Sequence, residues 1–225
     1  MGRVDDHRAE LRRLPPELWP GFLSERSGLP GPRGNIELGL AAGEEATSET
    51  IDALLATGDE YLTFCGVIGL GRLAAVERLH AHASDDRWRV REGVAMALQR
   101  LGDEDLDRMI TVVREWASDP DPLVQRAAAA GICEPRLLRT PAAAAAAVDV
   151  CDRATRLLAA RPDSTRRDPN VRALRKGLGY CWSVAVAADP GAGLPRFGAL
   201  ADVDDPDVAW IVRENRKKAR LAKLL

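Results

Sequence analysis

The chain has 225 residues, 46% of them hydrophobic and 29% charged, which is enough for one sizeable domain or a short repeat array and too apolar for a disordered chain. A formal charge of −2 and a pI near 6.0 exclude a protein that coats nucleic acid or anionic lipid through its overall field. Aromatic residues make up only 4% and alanine is abundant, a balance that suits thin, closely packed helices better than a sheet.

Residues 1–34 read as an N-terminal arm and residues 35–225 as a helical-repeat domain. In the arm, Asp5 or Asp6 caps a short helix over 7–14, Pro15-Pro16 ends it, and a second short helix is predicted over 17–23. Residues 27–34 (Ser-Gly-Leu-Pro-Gly-Pro-Arg-Gly) form a turn-rich connector. Leu18, Trp19, Phe22 and Leu23 are too apolar for a loose tail, so the arm is expected to cap the first repeat, as the ends of a solenoid require.

From Asn35 the spacing turns helical. Ser48 is the expected cap of a helix over 51–56, and Gly58 its stop. Asp59 opens a helix over 61–71 that contains Gly66, Gly69 and Gly71. Each glycine costs a helix about 1 kcal/mol relative to alanine, and the expected return is close approach of a neighbouring helix. The glycines are spaced GxxGxG with no strand before them, so they do not make a dinucleotide cradle. A short helix over 76–83 leads to Asp85-Asp86 and then to the most regular helix. Its stripe is Val90, Val94, Ala97, Leu98 and Leu101, with Gly102 as the stop and Asp103 opening the next helix.

Five Asp-Pro pairs follow, at 119–120, 121–122, 168–169, 189–190 and 205–206. Aspartate caps a helix and proline fits its first position, so each reads as a helix start. Thr140-Pro141 starts the alanine-rich helix in the same way. Residues 161–170 make the longest polar loop. A long helix over 171–188 turns Leu174, Leu178, Cys181, Trp182 and Ala185 inward, residues 191–202 make a short helix, and residues 207–224 close the chain. No period-two alternation of a strand appears.

No chemistry-bearing motif stands out. Cys65, Cys133, Cys151 and Cys181 form no CxxC pair and read as small buried thiols. His80 and His82 point to different sides of a helix, so no metal site is expected. No GxSxG, Walker or HExxH pattern is present, and no catalytic residue or cofactor is assigned. The start of the chain lacks the apolar stretch of a signal peptide and no apolar run reaches membrane-spanning length, so a soluble cytoplasmic protein is expected.

The internal repeat is the strongest signal. Trp88-Arg89-Val90-Arg91-Glu92 returns as Trp210-Ile211-Val212-Arg213-Glu214, and aligning Val90, Val124, Leu174 and Val212 gives steps of 34, 50 and 38 residues. Such spacing is the mark of a helical solenoid. The stretch around 85–98 resembles the second helix of a HEAT repeat. Residues 171–182 and 207–221 also look like the DNA-alkylation-repeat branch of that superfamily.

The resemblance implies an all-α fold, a right-handed α-α superhelix of about five HEAT-like helix pairs with an N-terminal helical cap, its second helices lining a concave face. On that face Arg91, Arg126, Arg175, Lys176, Arg213, Arg216 and Lys217 form a basic stripe. Two readings of it stand side by side. In one, each arginine bonds the turn aspartates of an adjacent repeat. In the other, the stripe receives phosphates or an acidic partner. Glycosylases of the alkylation-repeat branch use a cleft with tryptophans and an unpaired carboxylate. Here Trp88 and Trp210 are expected to pack on the preceding helix, Trp182 falls in the core, and Glu92 and Glu214 each neighbour an arginine, so the chain departs from that pattern. The functional expectation is a non-enzymatic scaffold that holds a protein partner on its concave face. The alternative is a nucleic-acid binder.

Overall fold

A computed structural model describes residues 2–31 and 33–225; Pro32 of the connector lies outside the described residues. Among the described residues there are fourteen α-helices, three short 3-10 turns and no strand. No helix is long and apolar enough to cross a membrane. The chain divides into two compact units, residues 1–104 and 105–225.

The first unit holds α1 (Arg3–Leu11), α2 (Trp19–Glu25), α3 (Ile36–Glu45), α4 (Ser48–Ala56), α5 (Glu60–Arg72), α6 (Val76–Ala83) and α7 (Trp88–Glu104). Its inner row is α3, α5 and α7, each packed on the next, with α4 and α6 as the outer layer. Almost every residue of α5 is buried, because helices lie against it on several sides. The expected close approach is real. A Cβ on Gly71 would stand 2.1 Å from the carbonyl oxygen of Ala97, and Gly66 and Gly69 face Leu55 and Ile51 of α4 at similarly short range. At Gly71 backbone meets backbone, while Gly66 and Gly69 make room for side chains of α4, and this packing offsets what the glycines cost in propensity.

The arm lies inside this unit. Arg8 of α1 and Arg12 just after it both donate to the Glu45 carboxylate at the end of α3, at 2.5–2.7 Å. Leu11, Trp19 and Leu23 are buried. The first helix spans Arg3–Leu11, earlier than the 7–14 expected from sequence.

The second unit holds α8 (Leu106–Trp116), α9 (Pro122–Ile132), α10 (Pro141–Ala159), α11 (Pro169–Ala188), α12 (Pro190–Ala199), α13 (Pro206–Arg216) and α14 (Ala219–Ala222). Here α9, α11 and α13 make the inner row, and α8, α10 and α12 pack behind them. Asp121, Asp168, Asp189 and Asp205 each cap the helix that begins at the following proline. A cap of this kind contributes about 1 kcal/mol. Asp119-Pro120 departs from the expectation: the Asp119 carboxylate accepts the Asp121 N–H at 2.8 Å and shapes the turn instead of starting a helix. Two other boundaries move. Gly102 lies within α7, so the cap of the next helix is Asp105, and the closing helix expected over 207–224 breaks at Lys217 into α13 and α14.

Candidate functional site

The connector is fastened to the inner row of the first unit. Tyr61 of α5 donates its hydroxyl to the carbonyl of Asn35 at 2.7 Å, and Arg89 of α7 reaches the carbonyl of Gly31 at 3.4 Å while pairing with Glu60 at 3.1 Å. Gly28 takes a φ of +75°, a backbone shape that favours glycine. These contacts wall a cavity of about 280 Å³ lined by Arg33, Gly34, Ile36, Tyr61, Phe64, Trp88, Arg89, Glu92 and Met96. Trp88 is 50% exposed and Ile36 46%. The Arg89 guanidinium lies 4.8 Å from the centre of the Trp88 ring.

This corrects the sequence expectation for Trp88, which was to pack on the preceding helix. The ring stands at the start of α7, half exposed, and shares the cavity with Arg33 and Gly34 of the connector. Trp210, its counterpart, is partly covered: a Cβ on Gly179 of α11 would stand 2.6 Å from its ring. Trp182 is fully buried, as expected, and donates its indole N–H to Thr155 at 2.9 Å.

The seven residues of the basic stripe fall in two places. Arg91 lies in the first unit and donates to the main-chain carbonyls of Asp85 and Asp86, so it holds the turn before its own helix. The other six lie in the second unit. Arg175 donates to Asp207 at 2.6 Å and sits 4.8 Å from the centre of the Trp210 ring. The Arg126 side chain packs where a Gly177 Cβ would stand, at 3.3 Å. Lys176, Arg213, Arg216 and Lys217 are exposed, with Lys217 paired to Glu214 at 2.7 Å. The arginine–aspartate ladder is therefore partly built, and its hub is a residue that the repeat alignment passed over. Arg166, in the polar loop before α11, pairs with Asp163, Asp205 and Asp207 at 2.6–3.1 Å. Burial works against the Asp205 carboxylate, but bonds from Arg166 and from the Val208 and Asp207 amides outweigh it and hold its pKa below 3.8.

The small net charge conceals a division. Residues 1–104 carry 12 basic against 18 acidic side chains, a balance of −6; residues 105–225 carry 20 against 16, a balance of +4. All four lysines lie beyond residue 175.

The four thiols are buried. Cys133 and Cys151 approach to 3.7 Å, and that contact, together with burial, holds the Cys133 thiol well above its ordinary value, which removes its nucleophilicity at neutral pH. Among the described residues no group of three His, Cys, Asp or Glu is arranged to hold a metal ion.

Layered outer and inner helices joined by capped turns, with exposed side chains on the inner row, define a helical-repeat module. Residues 48–133 match the family model of HEAT repeats. A search of curated proteins gives no match. Two crystal structures of engineered proteins align with the chain at 16% identity. One has a TM-score of 0.38 and covers 97% of this chain and 100% of its own; the other has 0.37 and covers 100% and 98%.

Proposed function

We propose that the chain is a non-enzymatic HEAT-like binding scaffold that holds a protein partner on the exposed face of its inner helices, with the cavity beside Trp88 as the anchor point. The observation that carries this reading is the half-exposed Trp88, set with Ile36 and Met96 around a cavity large enough for a bulky side chain. Exposed apolar patches of this kind mark interaction sites, and tryptophan is enriched among the residues that dominate binding energy. A cytoplasmic setting agrees with four cysteines that are all unpaired.

The test is selection from a displayed peptide library against the whole chain, followed by titration of selected peptides while tryptophan fluorescence is read. Peptides that bind the native chain and lose at least tenfold in affinity for Trp88→Ala and Met96→Glu support the reading. Peptides that bind all three proteins equally place the partner elsewhere and sink it.

A further inference from the structure

In the second unit the carboxylates are largely engaged with partners, and a line of cations is left over. Asp149 takes Arg114 and Arg196, Asp152 takes Arg156, and Asp163, Asp205 and Asp207 share Arg166 and Arg175. Asp105, Asp168 and Asp189 accept helix N-terminal amides. Arg172 and Lys176, one turn apart on α11, are exposed and have no carboxylate partner among the described residues. Tyr180, the next residue of that stripe, is 45% exposed. Lys218 and Arg220, at the start of α14, stand 5.5 and 5.3 Å from the centre of its ring. Arg220 also donates to the Tyr180 hydroxyl at 3.0 Å.

Residues four apart on a helix share a face and are spaced by about 6 Å along it. Arg172, Lys176 and Tyr180 therefore run in a line about 12 Å long, between the side of α11 that meets Arg126 and the side that meets Trp210. Arg213 and Lys217 of the neighbouring α13 add to it, with Glu214 as the acid among them. The ridge itself is made of cations, one acid and one aromatic ring, with no aliphatic side chain among these residues. A protein partner needs an apolar centre in its interface, whereas a nucleic-acid interface is polar and strongly positive.

We infer that this ridge binds a single nucleic-acid strand. Arg172, Lys176, Lys218 and Arg220 contact successive phosphates, and one base stacks on Tyr180. Aromatic rings set among backbone-tracking cations are how single strands are held without regard to sequence. The overall charge of −2 does not oppose this, because the negative balance belongs to residues 1–104.

The experiment is fluorescence anisotropy of a labelled 20-nucleotide single strand titrated with the whole chain at 50 and 200 mM NaCl. Four phosphate contacts on a single strand give a log–log salt slope near −2.8, so affinity should fall about fiftyfold across that range. The charge reversal K176E with K218E should weaken binding at least tenfold at the lower salt without changing the melting temperature, since neither side chain is buried. Tyr180→Leu should lose about fivefold or more, through the lost stacking and through release of Lys218 and Arg220 from the ring. Trp88→Ala should change nothing, which separates this surface from the cavity of the first unit. Absence of binding at 50 mM NaCl overturns the inference. So does equal competition by polyglutamate, which makes an acidic polypeptide the occupant. So does tighter binding of a duplex with no effect of Tyr180→Leu.

Discussion

The side-chain oxygen of Asn215 accepts the main-chain N–H of Ser183 at 2.8 Å in a fully buried setting. Its amide donates on to the carbonyls of Leu178 and Ile211, so one side chain of α13 bridges into the backbone of α11. In the aligned repeat that position is Gly93, where a Cβ would stand 3.1 Å from the Phe64 ring. One repeat position thus serves two solutions, a polar bridge between α11 and α13 and a close approach between α5 and α7.

Replacing Asn215 with alanine should cost about 3 kcal/mol, because buried polar groups lose their partners and a small void remains. Urea denaturation gives the size of the loss, and amide exchange along α11 shows its place. Unchanged protection of Ser183 would mean that the bridge contributes nothing.

Trp88 and Trp182 should separate cleanly. Trp182→Ala removes a side chain with no exposed surface and should cost about 3–5 kcal/mol. Trp88→Ala, half exposed, should cost about 1 kcal/mol or less. Paired melting curves check the contrast. A large loss for Trp88→Ala would show that the ring is structural and would weaken its assignment to binding.

Glycines should answer alanine in opposite ways. At Gly71 the new methyl would run into the Ala97 carbonyl, so Gly71→Ala should destabilise by about 3 kcal/mol or more. At Gly198 of α12 nothing lies within 4 Å, so alanine there should stabilise by about 0.5–1 kcal/mol. Denaturation midpoints of the two variants should move in opposite directions.

The arm should loosen in acid. Hydrogen bonds from Arg12, and then from Arg8, hold the Glu45 pKa below its ordinary 4.5. A carboxyl group lowered in the folded state stabilises fully above the ordinary value, and its contribution is lost as pH falls through the lower one. Proteolysis near α1 should therefore accelerate below about pH 4.5, the ordinary glutamate value. Glu45→Gln should show fast cleavage at neutral pH and little further change on acidification.

Most helices and caps were legible because they obey local rules, although Thr47 and not Ser48 caps α4, and Asp5 and Asp6 lie inside α1 instead of capping it. Asp-Pro starts a helix by capping and fixed φ, and the glycines of α5 announced a close neighbour. The exceptions were also local in cause: Asp119 spent its carboxylate on the turn, and Gly102 stayed inside α7 because Asp105 supplied the stronger stop. The candidate site was less legible. Aligning Trp88 with Trp210 placed both against a preceding helix, but the surroundings of Trp88 are set by the connector at 27–34, far from it in sequence and outside the repeat. Arg166 was missed for a related reason. It belongs to a loop without periodicity, and only folding brings Asp205 and Asp207 to it. Formal charge summed over the whole chain likewise hid the opposite balances of its two units.

The tie between Arg89 and the Gly31 carbonyl, with that between Tyr61 and Asn35, bears on how the protein can be cut. A fragment trimmed to the recognisable repeats at 48–133 would keep Trp88 and Phe64 but discard Arg33, Gly34 and Ile36, which make one wall of the cavity. What remained would be an open shelf with a bare indole. It would bind sticky surfaces indiscriminately, and its promiscuity would be an artefact of the missing wall.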